Sequence, residues 1–251
     1  MRVEAIYISP VKSLALRRVE RATLGTHGIL EDRRFFLVSD KARLVTQREV
    51  GALTQIRAAF ALEPEVLRLE FPDGRVVEGV PAATEPITSR FFGKRDVEGF
   101  VVEGEWAAAL SEFAGMPLRL VRAAKSAFDG FPVSIVSTAS VEALRTHAGE
   151  PSIDERRFRP NFYVSGCAAH GEDAWIGHIV RLGASAVVRV AMADPRCAMI
   201  THDPDTGARD LSTLKMIAAY RPLESKEINF GVYAGVEQPG EIAADDEVVP
   251  L

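Results

Sequence analysis

Cys197 is one of only two cysteines in a chain of 251 residues. It stands in the run Asp194-Pro-Arg-Cys-Ala-Met-Ile-Thr-His-Asp-Pro-Asp-Thr-Gly207. A thiol beside a cation, here Arg196, ionises more readily and becomes a better ligand for a soft metal. Three cationic segments could supply the complementary chemistry: Pro10-Val-Lys12-Ser13, Glu31-Asp-Arg33-Arg34 and Arg156-Arg-Phe-Arg159-Pro-Asn161. Arginine offers a planar fork to phosphate oxygens, lysine a point charge and serine a hydroxyl donor. Singly, such a cation is most often a solvated charge, and a free cysteine a small buried hydrophobe. Brought together, they describe a phosphate-binding cleft with a reactive thiol. The Lys12-Ser13 pair is not a P-loop, since no glycine-rich loop precedes it.

The neighbouring candidates read as local structure. His202 beside Asp203 fits a hydrogen-bond partner, and Asp203 to Gly207 a turn whose side chains bond their own backbone. Such a turn would stiffen the loop that carries Cys197. Cys167 reads as structural, and the sequence sets no distance between the two thiols.

Composition narrows the class. Apolar residues at 47%, charged residues at 26% and a net charge of -5 describe an ordinary globular chain without the basic surface of a general nucleic-acid binder. No apolar run approaches the roughly 18 residues of a membrane span. Glu4 and Pro10 interrupt the region where a signal peptide needs an apolar core, so the expectation is a cytoplasmic protein with free thiols. Two cysteines and five histidines are too few for an iron–sulfur cluster or an ordinary structural zinc site. Any redox chemistry must therefore use a cofactor held mostly by other side chains.

The elements that would position these residues are mainly strands. Val3–Ile8, Arg34–Val38, Asn161–Val164, Ile179–Leu182, Ala186–Val190, Phe230–Val236 and Glu247–Val249 are apolar runs closed by turn residues. Val66–Phe71 and Arg75–Val77 flank Pro72-Asp73-Gly74, a hairpin signature. Trp106, Leu110 and Phe113 make one helical face that stops at Gly115. A second helix runs from Ser137–Ser140 to about Ala148, and a third, short one spans Leu211–Tyr220. The sum predicts a β-dominated α+β protein with barrel-like sheets, divided near residue 120 into a first domain, 1–120, and a second, 121–251.

In order along the chain, the segments resemble the MOSC proteins, named for the molybdenum cofactor sulfurase C-terminal domain. The residues that carry the likeness begin with Ser9-Pro-Val-Lys-Ser13, Glu31-Asp-Arg33 and Val45-Thr-Gln-Arg48. They continue with Phe158-Arg-Pro-Asn161, Val164-Ser-Gly166, Glu172-Asp-Ala-Trp175, Arg196-Cys197, Asp203–Gly207, Phe230-Gly-Val-Tyr233 and Pro239-Gly-Glu-Ile242. Within the family the arrangement is most similar to the mitochondrial amidoxime-reducing components and their bacterial relatives.

The resemblance implies an N-terminal β-barrel domain, a MOSC domain and a bound molybdenum cofactor (molybdopterin). Carried over by motif, Cys197 would ligate the metal and be the catalytic residue. Lys12, Ser13 and Arg33 would grip the pterin's phosphate, and Arg159, Asn161 and Arg196 would complete the cofactor-binding set. The implied activity is reduction of small N-hydroxylated or N-oxide compounds. Electrons would come from a separate ferredoxin-, flavodoxin- or cytochrome-type protein, with no nucleic acid and no membrane involved. Two alternatives stand beside it: a cofactor carrier or sulfur-transfer protein with a persulfide on Cys197, and a pyridoxal phosphate binder with Lys12 as the Schiff-base lysine. Gly130-Phe131 stands where the reductases can offer hydroxyl residues, and Cys167 matches a cysteine present in only some relatives.

Overall fold

Alternation of apolar and polar residues builds the first strand, Arg2–Ile8, whose outward Arg2 and Glu4 give way to a fully buried run from Ala5 to Ile8. The burial follows from its place inside a sheet, with Phe162–Ser165 on one side and Arg17–Val19 on the other. The structure is a computed structural model that describes residues 1–92, 95–221 and 227–251. Within it the fold is β-dominated α+β with barrel-like sheets, as the sequence pattern implies.

Eight strands form the largest sheet, in the order Val248–Pro250, Ile179–Leu182, Ala186–Pro195, Asn229–Gln238, Val133–Ser137, Phe162–Ser165, Arg2–Ile8, Arg17–Val19. Its one parallel pair, Val133–Ser137 with Phe162–Ser165, is linked by a crossover containing the helix Thr138–Ala148. A five-stranded sheet runs Ala83–Phe91, Arg95–Val102, Arg119–Ala123, Phe35–Val38, Leu44–Val45. Two three-stranded sheets complete the set: Gly240–Ala243, Arg21–Gly25, Gly28–Ile29, and Arg57–Leu62, Glu65–Glu70, Val76–Gly79. The chain is interleaved: Arg2–Ile8 and Arg21–Gly25 pair with strands from its second half, so the N-terminus is built into the eight-stranded sheet whose strand Ala186–Pro195 leads to Cys197.

Local chemistry accounts for the punctuation. Asp73 accepts a hydrogen bond from the Arg75 amide and Gly74 takes φ +86°, closing the expected hairpin. The helix Glu105–Ala114 buries Trp106, Ala109 and Leu110, each large side chain contributing roughly 1.5–3 kcal/mol, and ends on Gly115 at φ 66°. Ser137 caps Thr138–Ala148 by accepting from the Ser140 amide at 3.1 Å, a contact worth about 1 kcal/mol. The buried Glu172 carboxylate reinforces the cap, accepting from the Ser137 amide and the Ser140 hydroxyl.

One element departs from the sequence reading in a way that matters for the site. The strand expected to stop at Val190 continues to Pro195, with register shifts between Val190 and Met192 and between Ala193 and Pro195. Bulges tolerate a proline and bend a strand. This extension carries Asp194 and leads directly into Arg196 and Cys197.

Candidate cofactor-binding site

Three segments far apart in sequence converge on one fully buried carboxylate. Asp32, 0% exposed, accepts from the Ser9 amide at 2.7 Å, from the Asn161 side-chain amide at 2.9 Å and from the Arg33 guanidinium. Buried charge of this kind is stable only when its lone pairs are met by donors, and Asp32 has them from all three. Backbone bonds bind the same segments: the Arg33 amide donates to Ser9, Phe35 to Pro10 and Lys12 to Phe35. Arg33 then donates to the Arg159 carbonyl at 3.1 Å, and Arg159 to the Leu14 carbonyl at 2.6 Å.

The backbone is strained where these side chains emerge. Ser13 has φ 75°, Arg33 φ 48° and Arg159 φ 51°. Ser13 occupies the third position of a turn closed by the Leu14 amide on Val11, a place that normally favours glycine. Left-handed backbone at a non-glycine residue costs about 1 kcal/mol or more, and such strain collects at functional sites.

All seven residues singled out from sequence line one cleft: Lys12, Ser13, Arg33, Arg159, Asn161, Arg196 and Cys197. They are not equally free. The Asn161 amide is consumed by Asp32, Tyr7 and Ser134. Arg196 donates to the carbonyls of Phe158 and Phe230, each at 2.7 Å, and pairs with Asp194 at 2.8 Å. Its charge is thus neutralised within the wall. Gly231 permits that packing, because a Cβ there would lie 2.5 Å from the Ile135 carbonyl and 3.3 Å from Arg196 Nη2. Lys12, buried, donates to the Ala127 carbonyl at 2.9 Å and to Asp129 at 2.5 Å. The Ser13 hydroxyl is buried and has no protein partner.

The electrostatics follow from burial. Desolvation and the neighbouring Arg33 charge lower Arg159 to about 9. Desolvation also lowers Lys12, against the opposing pull of Asp129. Burial pushes Asp129 up, but Lys12, Arg33 and Arg48 hold it below the usual carboxylate range. Asp194 is raised to about 6, chiefly by burial, although Arg196 and the Tyr233 hydroxyl favour its charge. Tyr233 is itself driven up by burial and by Asp194.

Cys197 is half-buried at the cleft, and both thiols of the chain are free. Beyond it, Asp203 accepts from the amides of Asp205 and Thr206 and from the Thr206 hydroxyl, the self-bonded turn expected from sequence. His202 bonds the Met199 carbonyl and Arg209. Four carboxylate or hydroxyl groups of the site carried no role in the sequence reading: Asp32, Asp129, Asp194 and Tyr233. Asp32 and Asp194 adjoin residues already singled out, and that adjacency was the available signal.

Comparison with known proteins bears on what the cleft holds. The family model of the MOSC domain matches residues 123–249, and that of the MOSC N-terminal beta barrel domain matches residues 1–117. The chain belongs to the MOSC family. Among curated MOSC relatives, mitochondrial amidoxime-reducing component 1 of Xenopus laevis is 30% identical, over 98% of this chain and 81% of that protein. The mouse protein of the same name is 29% identical, over 99% and 82%. A molybdenum cofactor sulfurase of Oryza sativa subsp. japonica is 26% identical over 94% of this chain, which spans 32% of the rice protein.

The donor set fits a phosphorylated cofactor with a soft metal. Lys12 uses two of its three N–H donors on the protein, and the Ser13 hydroxyl is left unsatisfied beside it. An orphaned buried hydroxyl among cations is a place for an anionic oxygen. Among the described residues no group of three or more His, Cys, Asp or Glu is placed to hold a metal ion, so the Cys197 thiolate would need a partner ligand from the cofactor. The cleft measures about 70 Å³, below the roughly 300 Å³ of typical ligand pockets. Its residues would hold the phosphate rather than enclose the whole group.

Proposed function

We propose that this chain holds the molybdenum cofactor at Cys197 and reduces small N-hydroxylated or N-oxide compounds there. The observation that carries the reading is the convergence of Lys12, Ser13, Arg33, Arg159 and Cys197 on one cleft, with strained backbone at three of them and an unsatisfied hydroxyl at Ser13. Similarity to proteins named amidoxime-reducing components supports the substrate class.

When bound, molybdenum would supply two-electron redox chemistry at an N–O bond, which the protein's own groups do not offer. The residues of the chain do the rest. Cys197 presents a soft thiolate to the metal. Lys12, Arg33, Arg159 and the Ser13 hydroxyl hold the phosphate and so fix the cofactor's orientation. Asp32 keeps Arg33 and Asn161 in register behind them. Reduction of R–NHOH to R–NH2 and water consumes two protons and two electrons. Asp194, raised to about 6 by burial and bonded by Tyr233, can hold a proton within the cleft on the acid side of neutrality. The electrons would come from a ferredoxin-, flavodoxin- or cytochrome-type protein, the donor class that the likeness to the amidoxime-reducing components suggests.

Metal analysis of protein made in cofactor-producing cells tests the reading. Wild type should carry close to one molybdenum per chain and reduce hydroxylamines with a reduced dye, and Cys197→Ser should lose both. Metal-free wild type under adequate cofactor supply would sink the proposal. A loaded protein that transfers its cofactor yet shows no turnover would instead favour the carrier reading. Arg196 gives the persulfide version little support, since its charge is spent on Asp194 and two carbonyls. A Schiff base at Lys12 would leave its nitrogen at most one N–H, so at least one of that side chain's two hydrogen bonds would be lost.

A further inference from the structure

A groove of about 850 Å³, much larger than the Cys197 cleft, lies beside it, with Arg159 in the wall of both. It continues into a second depression of about 570 Å³ through Arg17 and Ala59. Two strand edges form its sides. Arg17–Val19 ends the eight-stranded sheet, and Arg57–Leu62 ends the sheet it makes with Glu65–Glu70 and Val76–Gly79. The edges meet at one point, where the Ala15 amide donates to the Ile56 carbonyl. Beyond that point neither edge has a neighbouring strand among the described residues, so backbone donors and acceptors face the groove.

The groove carries the opposite sign from the molecule. The chain has a net charge of -5, yet the larger cavity is lined by five arginines against Glu70 and Asp205. Some of these cations are already used: Arg156 is held by Asp154 and Asp205, and Arg68 by Glu78. Others are not. Arg17 and Arg21 have no side-chain partner among the described residues, and the Arg57 side chain, 80% exposed, reaches only Glu70 at 3.9 Å. Arg18, beside Arg17 on the strand Arg17–Val19, adds a fourth exposed guanidinium, held among the described residues only by the Glu4 carbonyl at 3.3 Å, while Glu20 and Glu31 are the acidic residues of the smaller depression.

A compact anion would need donors converging on a point, as they do around Ser13. Here the arginines are strung along the groove, and none of its lining residues carries a buried unpartnered polar atom. Nucleic acid would want a basic surface and stacking platforms, whereas the nearby Phe60 and Phe71 are buried. Small side chains at Ala58, Ala59 and Ala61 let another backbone approach the free edge. We propose that this groove docks an extended acidic segment of a partner protein. The segment would add a strand to the Arg57–Leu62 edge and set its carboxylates against Arg17, Arg18, Arg21 and Arg57. The proposal goes beyond the cofactor reading and does not depend on it, although docking here would place the partner against the wall of the cleft.

The test uses the full chain and a short labelled peptide of alternating Glu and Val, followed by fluorescence anisotropy at low and raised salt. Saturable binding, weakened by salt and reduced at least about tenfold by the double charge reversal Arg17→Glu/Arg57→Glu, is expected. A reversal on another surface, Arg189→Glu, should leave binding within about twofold if the groove rather than overall charge is responsible. A peptide N-methylated at alternate residues keeps its charges but loses strand donors, and should bind less tightly. No peptide binding, or equal binding by the double variant at unchanged thermal stability, would overturn the proposal. So would a groove that takes oligothymidylate or pyrophosphate and refuses the peptide. Undiminished binding of the N-methylated peptide would overturn the strand-addition geometry.

Discussion

At the residue scale the cleft is a set of cations held apart from water by one another's partners. Lys12 illustrates the balance. Burial disfavours its charge and wins, while Asp129, 39% exposed, pulls the other way and the Ala127 carbonyl accepts one of its N–H bonds. Replacing it by glutamine keeps an N–H donor for Ala127 and removes the charge. A charge-assisted phosphate contact is worth about 1.5–3 kcal/mol, so Lys12→Gln should weaken cofactor retention by roughly ten- to a hundredfold. Molybdenum per chain after exhaustive dialysis reads this directly, with thermal unfolding as the control for folding. Retention equal to wild type would remove Lys12 from the seat. The prediction separates Lys12 from Asn161, whose amide is wholly spent inside the protein and whose loss would act through Asp32 instead.

At the scale of elements, the helix Thr213–Tyr220 and the short turn Gly171–Trp175 are joined by a polar network that the chemistry of the cleft does not use. Arg221 donates to Nδ1 of His170 at 2.8 Å, which leaves the ring's proton on Nε2, 2.9 Å from the Tyr220 hydroxyl. Arg221 also pairs with Asp173. Burial and the Arg221 charge lower His170 to about 4, against 6.5 for a free imidazole. The unfolded chain therefore binds a proton between those values where the folded chain does not. The contribution is fully present above pH 6.5 and is lost as pH falls toward 4. For a half-buried ring the loss should be about 1–3 kcal/mol. His170→Gln should flatten that part of the stability profile between pH 7.5 and 4.5, measured by urea unfolding. An unchanged slope would show that His170 charges freely in the fold.

The same scale shows what could be read from sequence. Arg2–Ile8 is legible as a compact apolar run, Glu65–Glu70 by its alternation, and Glu105–Ala114 by an apolar helical face with a clear stop. Ala83–Phe91 was not: its first four residues are exposed, it contains Pro86, and its pairing with Arg95–Val102 supplies the order that its own pattern lacks. The extension of Ala186–Pro195 was hidden for a related reason, since a bulge places Asp194 and Pro195 in a strand that propensity would end. Among site residues, the cations and Cys197 stood out by type, whereas Asp32 looks like any solvated carboxylate until its three donors are brought from distant segments.

At the scale of the whole molecule, the loop behind Cys197 meets the first half of the chain through a close approach of two glycine backbones and one side-chain hydrogen bond. Gly207 lies at φ +73°, and a Cβ there would fall 2.0 Å from the Gly51 carbonyl oxygen; a Cβ on Gly51 would fall 2.2 Å from that of Gly207. Gln55 closes the same contact by donating to the Thr206 carbonyl at 2.9 Å. Neither backbone can give way cheaply, because Gly51 begins the turn Gly51–Gln55 and Gly207 ends the turn fixed by Asp203. Gly207→Ala should thus cost about 3 kcal/mol or more, combining left-handed strain with overpacking. For a chain of this length that lowers Tm by roughly 6–12 °C. Gly177→Ala separates the two effects, since Gly177 has φ +87° but open space around its missing Cβ, and should cost only about 1–2 kcal/mol. If calorimetry gives the two variants equal Tm values, the close approach adds nothing beyond local strain. If Gly207→Ala falls well below Gly177→Ala, the close contact between the two halves of the chain beside the Cys197 loop contributes stability of its own.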